Sequence, residues 1–130
     1  MSPAVAVCEH DGTRFDPETA ADHAGIPIHT VRLPGTQAGA TDGTSIWVDD
    51  RLTCTERRCT IAHELVHIWA GHTSHQDAKS EARVRRATAN ALLNGYDVRH
   101  VLRVERTMWA AAERLWVTVP VLTDWLEAHR

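Results

Sequence analysis

The sequence lacks a long apolar run, and this absence excludes an ordinary membrane-spanning helix. No stretch approaches the roughly 18 consecutive apolar residues that such a helix needs. The opening MSPAVAVCEHDG also lacks both a basic leader and a full hydrophobic segment, which together mark an export signal. We therefore expect a cytoplasmic protein that makes no contact with a membrane.

Cysteine is scarce, and the three that occur, Cys8, Cys54 and Cys59, are odd in number. Without an export signal, an odd count argues against a disulfide framework, so we expect reduced thiols. Internal repeats and low-complexity tracts are absent as well. With 130 residues, of which 43% are apolar and 24% charged, the composition predicts one folded domain over residues 1–130.

Charge is unevenly distributed, although the net charge is only −3. Residues 1–50 carry eight acidic side chains against Arg14 and Arg32, whereas residues 79–114 carry eight basic side chains against four acidic ones. A basic region of this kind can contact nucleic acid or an acidic partner. A solvated helix face explains the same pattern, and we favour that simpler interpretation.

The first half of the chain predicts one short helix and two strands. The segment DPETAADHAG, residues 16–25, begins with a capping Asp-Pro pair and ends on glycine, which is typical of a short helix. Residues 26–33 and 44–50 alternate apolar and polar side chains, as half-buried strands do. Residues 34–43 between them are rich in glycine and turn formers, so we expect the two strands to pair as a hairpin.

The second half predicts helices. Thr53 and Glu56 have the spacing of a capping box, and neither Gly nor Pro interrupts the chain from there to Gly71. This predicts a long helix of roughly four or five turns. Further helices are expected at 80–93 and 97–105, and at 108–130 as a pair joined by a tight turn near Val117 and Thr118. The whole is an α+β fold that is mostly helical, with a small N-terminal β-sheet packed on the long helix.

The long helix contains CTIAHELVHIWAGH, residues 59–72, and this segment favours a metal-dependent hydrolase. His63 and His67 are four residues apart, so their imidazoles lie on one face and can converge on one metal ion. Glu64 points about 100° around the helix axis and can reach a water bound to that ion. A zinc ion lowers the pKa of its water to about 7, and a neighbouring carboxylate then takes the proton as the water attacks a carbonyl. Glu64 is therefore the expected general base.

A catalytic zinc needs a third protein ligand, and several downstream residues are candidates. Glu81 is favoured because it opens the following helix, which can pack across the loop and present a carboxylate to the first helix. Asp77 and His75 are loop residues that can reach the ion, and His72 lies near the rim. Zinc is the expected metal, although manganese or iron can enter such sites. Candidates for stabilising the oxyanion are Tyr96, His100, His72 and His75.

The segment RRCTIAHELVHIWAGH, with the strand TSIWVDD before it and SEARVRRATANALL after it, resembles the ImmA/IrrE family of metallopeptidases, particularly its short forms from phages and actinobacteria. The resemblance runs from about residue 44 to residue 128. It implies a zincin-like fold in which His63 and His67 bind zinc, Glu64 is the general base and Glu81 is the third ligand. It also implies a regulatory protease whose substrate is a DNA-binding repressor.

Two other classes of function stay open. The segment AAERLWVTVPVLTDWL, residues 111–126, has the pattern of a helix-turn-helix. Its second helix carries Asp124 and Glu127, which would repel phosphates, so direct binding of nucleic acid is disfavoured. The chain could also keep the metal without cleaving a substrate, as a regulatory module or one half of a toxin–antitoxin pair.

Overall fold

The computed structural model describes residues 14–130 and has the mixed α+β fold that the sequence predicts. Helices dominate, and the small sheet precedes the first of the two long helices. Within the described residues, no helix is long and apolar enough to cross a membrane. In chain order the elements are α1 (Pro17–His23), β1 (Ile28–Val31), β2 (Gly39–Thr41), β3 (Ile46–Asp49), α2 (Cys54–Trp69), α3 (Ala78–Leu93), α4 (Val98–Val104), α5 (Met108–Arg114) and α6 (Val119–Ala128).

The sheet has the order β1-β3-β2, so the predicted hairpin between the strands at 26–33 and 44–50 is wrong. Those two strands, β1 and β3, are neighbours but run parallel, with Ile28 opposite Ile46. The antiparallel partner of β3 is β2, in which Gly39 lies opposite Val48. β2 falls inside the glycine-rich segment predicted as a turn. Its three residues are too few for an alternating pattern to be visible.

The turn between β2 and β3 explains why these two strands form the hairpin. The Asp42 carboxylate accepts hydrogen bonds from the backbone N–H groups of Thr44 and Ser45, each at 2.9 Å. These bonds lower the pKa of Asp42, and the bond from Thr44 has the largest effect. Gly43 has a φ of +96°, in the left-handed region that glycine adopts without steric cost. The chain is thus reversed immediately before β3.

Helix α2 lies between two hydrophobic clusters. On one side Ile61 and Leu65 are fully buried together with Ile46 of the sheet. On the other side Cys59 and Ala62 join the cluster formed with α3 to α6. Burying a large aliphatic side chain contributes about 1.5–3 kcal/mol. Because apolar contacts cover both sides of α2, its orientation is fixed, and the sheet packs on it as predicted.

The ends of α2 follow the capping signals in the sequence. The Thr53 hydroxyl accepts from the Glu56 N–H at 3.2 Å, and the Glu56 carboxylate accepts from the Thr53 N–H at 3.0 Å. At the other end, Gly71 has a φ of +80°, which lets the chain leave the helix in a left-handed turn. Both signals are local, which is why the sequence reveals them.

The C-terminal helices cover the second cluster. α5 and α6 are joined through Trp116, whose φ of +60° is unusual for a residue other than glycine. The carbonyl of Trp116 accepts a hydrogen bond from the guanidinium of Arg58 at 2.6 Å, which ties this turn to α2. α6 packs against α3 and buries Leu122. Asp124 of α6 lies 3.8 Å from Arg85 of α3.

The cysteines differ from the expectation. Cys54, the first residue of α2, is disulfide-bonded, so the prediction of reduced thiols is wrong at this position. An odd number of cysteines still allows one pair, and sequence spacing alone cannot reveal it. Cys59 is a free buried thiol, and burial raises its pKa. Cys8 lies outside the described residues.

Gly39 lies where the sheet packs closely against α2. A Cβ at this position would lie 2.5 Å from the Thr60 side-chain methyl and 3.5 Å from Cγ of Glu64. We therefore expect Gly39→Ala to lower the free energy of unfolding by about 1–3 kcal/mol through overpacking. Urea unfolding of Gly39→Ala, Thr60→Ser and the double variant measures this. Thr60→Ser removes the clashing methyl, so an equal loss in both backgrounds would contradict the explanation.

Candidate metal centre

His63 and His67 lie one turn apart on the same face of α2. Their ring centroids are 4.9 Å apart, with an angle of 70° between the ring planes. The His67 side chain is fully buried, and that of His63 is 24% exposed. The two imidazoles therefore lie side by side, with the Nε2 atom of each beside the same carboxylate.

That carboxylate belongs to Glu81, which approaches from the first turn of α3. Its Oε1 lies 3.3 Å from Nε2 of His63 and 3.2 Å from Nε2 of His67. Its Oε2 accepts a hydrogen bond of 2.7 Å from the backbone N–H of Gln76. The Gln76 amide thus holds the carboxylate in place, and no sequence pattern predicts this backbone contact.

Asp77, an alternative third ligand, is engaged elsewhere. It is the N-cap of α3, and its carboxylate accepts from the backbone N–H of Ser80 at 2.9 Å. This bond is the main reason that the pKa of Asp77 is lowered. A carboxylate that caps a helix points at the backbone of that helix. The structure brings Glu81, and not Asp77, to the histidine pair.

The spacing of the pair and Glu81 fits a metal ion. Ligand atoms about 2.0–2.1 Å from a tetrahedral zinc lie roughly 3.3–3.4 Å from one another. The Glu81 oxygens lie 3.1–3.3 Å from the two imidazole nitrogens, which is close to that edge length. Two imidazoles and one carboxylate are also a donor set that catalytic zinc sites use.

Glu64 lies on the adjacent side of α2 and is almost completely buried, with 2% of its surface exposed. Its Oε1 is 3.0 Å from Nε2 of His75. Its Oε2 is buried without a hydrogen-bond partner. An ionised carboxylate is costly to bury unless partners compensate for the lost water, so an unpaired oxygen here points to a functional role.

His75 is the other loop candidate, and it also reaches the site. The nitrogens of His63, His67 and His75 lie within 4.8 Å of one another, which makes three imidazoles available to one ion. Nε2 of His75 is also within hydrogen-bond distance of Glu64. The side chain of His75 is 46% exposed. Its pKa is raised, chiefly by the hydrogen bond to Glu64.

His72 contacts the site from behind His67. Its Nδ1 is 3.0 Å from Nδ1 of His67, the nitrogen that does not face Glu81. The turn at Gly71 produces this contact, because it also lets the N–H of His72 donate to the carbonyl of His67 at 2.8 Å. A partner on the second nitrogen fixes the orientation of a metal-binding imidazole. The spacing of five residues from His67 was the only sequence signal.

Burial and neighbouring charges act on these groups in opposite directions. Burial is the main reason that the pKa of His63 is lowered, which favours its neutral form. Burial alone would raise the pKa of Glu81, but the Gln76 amide and the nearby imidazoles lower it overall. A neutral imidazole and an ionised carboxylate are the forms that bind metal ions. The pKa of Asp124, on α6, is raised mainly by burial, and the charges of Arg85 and His63 lower it in part.

The remaining candidates for an oxyanion donor lie elsewhere. Tyr96 packs against the helical cluster, with the Arg14 guanidinium 4.0 Å from its ring centroid. His100 is exposed on the first turn of α4. Neither belongs to the imidazole group around His63. Of the four candidates, His75 and His72 are the two that the fold brings to the site.

Comparison with known proteins identifies one matching family. A peptidase family model, Peptidase M78, described as IrrE N-terminal-like domain, matches residues 21–116. The matched range begins within α1 and ends after α5, so it includes the whole site. No curated protein and no solved structure gives a significant match. A peptidase family and a cluster of imidazoles both point to a bound metal ion.

Proposed function

Because the chain belongs to the IrrE N-terminal-like family of M78 peptidases, we propose that it is a zinc-dependent metalloendopeptidase that cleaves a DNA-binding repressor. The observation that carries the proposal is the convergence of His63, His67 and Glu81 beside the buried carboxylate of Glu64. The two imidazoles and the Glu81 carboxylate can bind a metal ion, and the Glu64 carboxylate can accept a proton.

We assign His63, His67 and Glu81 as the metal ligands. Three protein ligands leave a position for water or substrate, which distinguishes a catalytic zinc site from a structural one. The proposed metal is Zn²⁺, because imidazole nitrogens suit it well. Mn²⁺ and Fe²⁺ also bind sets of imidazole and carboxylate ligands, so they are the alternatives to test.

Glu64 is the proposed general base. When bound, the metal would polarise the scissile carbonyl and make a water molecule more acidic. Glu64 accepts a proton from the attacking water as the bond from water oxygen to carbonyl carbon forms. It returns the proton to the amide nitrogen as the carbon–nitrogen bond breaks. The unpaired Oε2 of Glu64 supports this role, because it leaves an acceptor for the water proton.

The regulatory role and the cytoplasmic location are parts of the same proposal. A repressor-type substrate would make cleavage a switch for gene expression, and such a substrate lies in the compartment that holds the DNA. The disulfide of Cys54 is unusual for that compartment, where thiols are kept reduced.

Direct binding of nucleic acid by the C-terminal helices is not part of the proposal. α6, the recognition helix in the helix-turn-helix interpretation, packs against α3. Its Asp124 lies beside Arg85, so one of the basic residues of α3 has an acidic neighbour. The acidic side chains of α6 would also repel phosphates. These observations favour a protein substrate over a DNA ligand.

The proposal is tested by metal analysis followed by a cleavage assay. We expect the purified chain to carry about one zinc per molecule when three protein ligands are in place. Incubation with a DNA-binding repressor from the same genome should give two defined fragments, detected by mass spectrometry. Cleavage should stop with EDTA and return with added Zn²⁺. An intact repressor after incubation with fully metal-loaded protein would contradict the assigned substrate.

A further inference from the structure

The loop between α2 and α3 places one imidazole against the buried general base. His75 Nε2 lies 3.0 Å from Oε1 of Glu64, whose side chain is only 2% exposed. The His75 side chain itself is 46% exposed, so it connects the buried carboxylate with the surface. This contact joins residues eleven positions apart, and neither helix capping nor core packing requires it.

The backbone next to His75 is anchored to the proposed metal centre. The N–H of Gln76, the following residue, donates to Glu81 at 2.7 Å. At the other end of the loop, the N–H of His72 donates to the carbonyl of His67. The main chain is therefore anchored directly after His75 and three residues before it, while the ring itself is half-exposed. A catalytic group is best placed by a rigid support of this kind.

The hydrogen-bond contacts pair His75 with the general base and Glu81 with the two histidines of α2. The carboxylate of Glu81 lies 3.1–3.3 Å from Nε2 of His63 and of His67, and Nε2 of His75 lies 3.0 Å from Oε1 of Glu64. A hydrogen bond spans about 2.9 Å. A donor this close to Glu64 can reach the carbonyl oxygen of a peptide bound at the metal centre without binding the metal itself.

His72 is excluded from the same role by its position. Its Nδ1 contacts the nitrogen of His67 that does not face Glu81, so it lies behind the ligand pair. Tyr96 and His100 are outside the cluster altogether. Of the four candidate donors, His75 is thus the one that lies beside the general base.

We propose, on the basis of the proposed function, that His75 is a further catalytic residue that donates its Nε2–H to the oxygen of the scissile carbonyl. Before substrate binds, the same N–H donates to Glu64. When the peptide enters, His75 turns to the carbonyl oxygen, while Oε2 of Glu64 stays the acceptor for the water proton. As the water oxygen bonds to the carbonyl carbon, the carbonyl oxygen becomes an oxyanion and accepts the His75 hydrogen bond. His75 keeps its proton throughout, since Glu64 carries the proton from water to the leaving nitrogen.

The test uses the Co²⁺-loaded full chain and acetohydroxamic acid, whose carbonyl oxygen resembles the reacting oxygen. The d–d absorption of Co²⁺ reports both metal binding and the Kd of the hydroxamate. We expect His75→Ala to weaken hydroxamate binding by about 10- to 100-fold, the usual effect of losing a hydrogen bond to a charged group. His75→Gln, which keeps an N–H donor, should recover part of the affinity. His100→Ala, an exposed histidine away from the site, is the matched control.

The outcomes separate the two proposals. If His75→Ala binds hydroxamate as wild type does, or more tightly, His75 is not a donor to the ligand and the inference is overturned. If His75→Ala instead loses Co²⁺ absorption, His75 is a metal ligand and the inference is again overturned. Failure of the wild-type chain to bind Co²⁺ would count against the proposed function itself. Circular dichroism of each variant checks that it is folded.

Discussion

A Glu64→Gln variant is expected to lose peptide hydrolysis while it keeps its metal. Glutamine has nearly the same shape, so it can occupy the buried site of Glu64 without disturbing Leu65 or the sheet. Its amide cannot accept the proton of the attacking water. General acid–base catalysis contributes about 10²- to 10⁴-fold, and we expect a loss of that order in the rate of cleavage. Repressor cleavage and bound zinc are measured on the same preparation.

The control for this variant is Glu113→Gln, an exposed glutamate of α5 remote from the cluster, which should cleave as wild type does. The result also distinguishes catalysis from metal binding alone. If Glu64→Gln keeps both its zinc and its full biological effect, the chain acts as a non-catalytic regulatory or toxin–antitoxin protein. In that case the protease hypothesis fails.

The helices of this fold are predictable because their signals are local. The capping box at Thr53, the stop at Gly71 and the apolar spacing between them together define α2. The sheet is different, since the partner of β3 depends on which segment of the chain folds back onto it. β2 is three residues long and includes Gly39, although glycine is more typical of turns than of strands. Its place in the sheet depends on the turn at Asp42 and on close packing against α2, neither of which is a periodic pattern.

The candidate site was predictable to the extent that it lies on one helix. The spacing of His63 and His67 fixes their common face wherever α2 goes. The third ligand depends instead on the path of the loop and the start of α3, and for this reason the sequence left Glu81, Asp77 and His75 as alternatives. Asp77 caps α3, Glu81 meets the imidazoles and His75 meets Glu64. Which of several polar residues a few positions apart reaches the histidine pair depends on the tertiary structure.

Removal of either proposed histidine ligand should eliminate stoichiometric zinc. His67→Ala is expected to have the largest effect, because His67 is fully buried and both Glu81 and His72 lie against it. A metal bound at 1,000 times its Kd stabilises the folded chain by about 4 kcal/mol. The rise in Tm that zinc gives the wild-type chain should therefore disappear in His67→Ala and in His63→Ala. Metal content after dialysis and thermal unfolding with and without Zn²⁺ measure the two effects.

Glu81→Gln extends this prediction to the third ligand. The amide keeps the size of the side chain but loses its charge. Zinc should bind at least about 10-fold more weakly, because loss of a residue that merely orients a ligand already weakens metal binding by that factor. Asp77→Asn and Cys59→Ala are the matched controls, since Asp77 caps α3 and Cys59 lies in the helical cluster. Both controls should retain zinc. If Glu81→Gln kept full zinc affinity while His75→Ala lost the metal, the ion would be held by three imidazoles, and the assignment of Glu81 would be wrong.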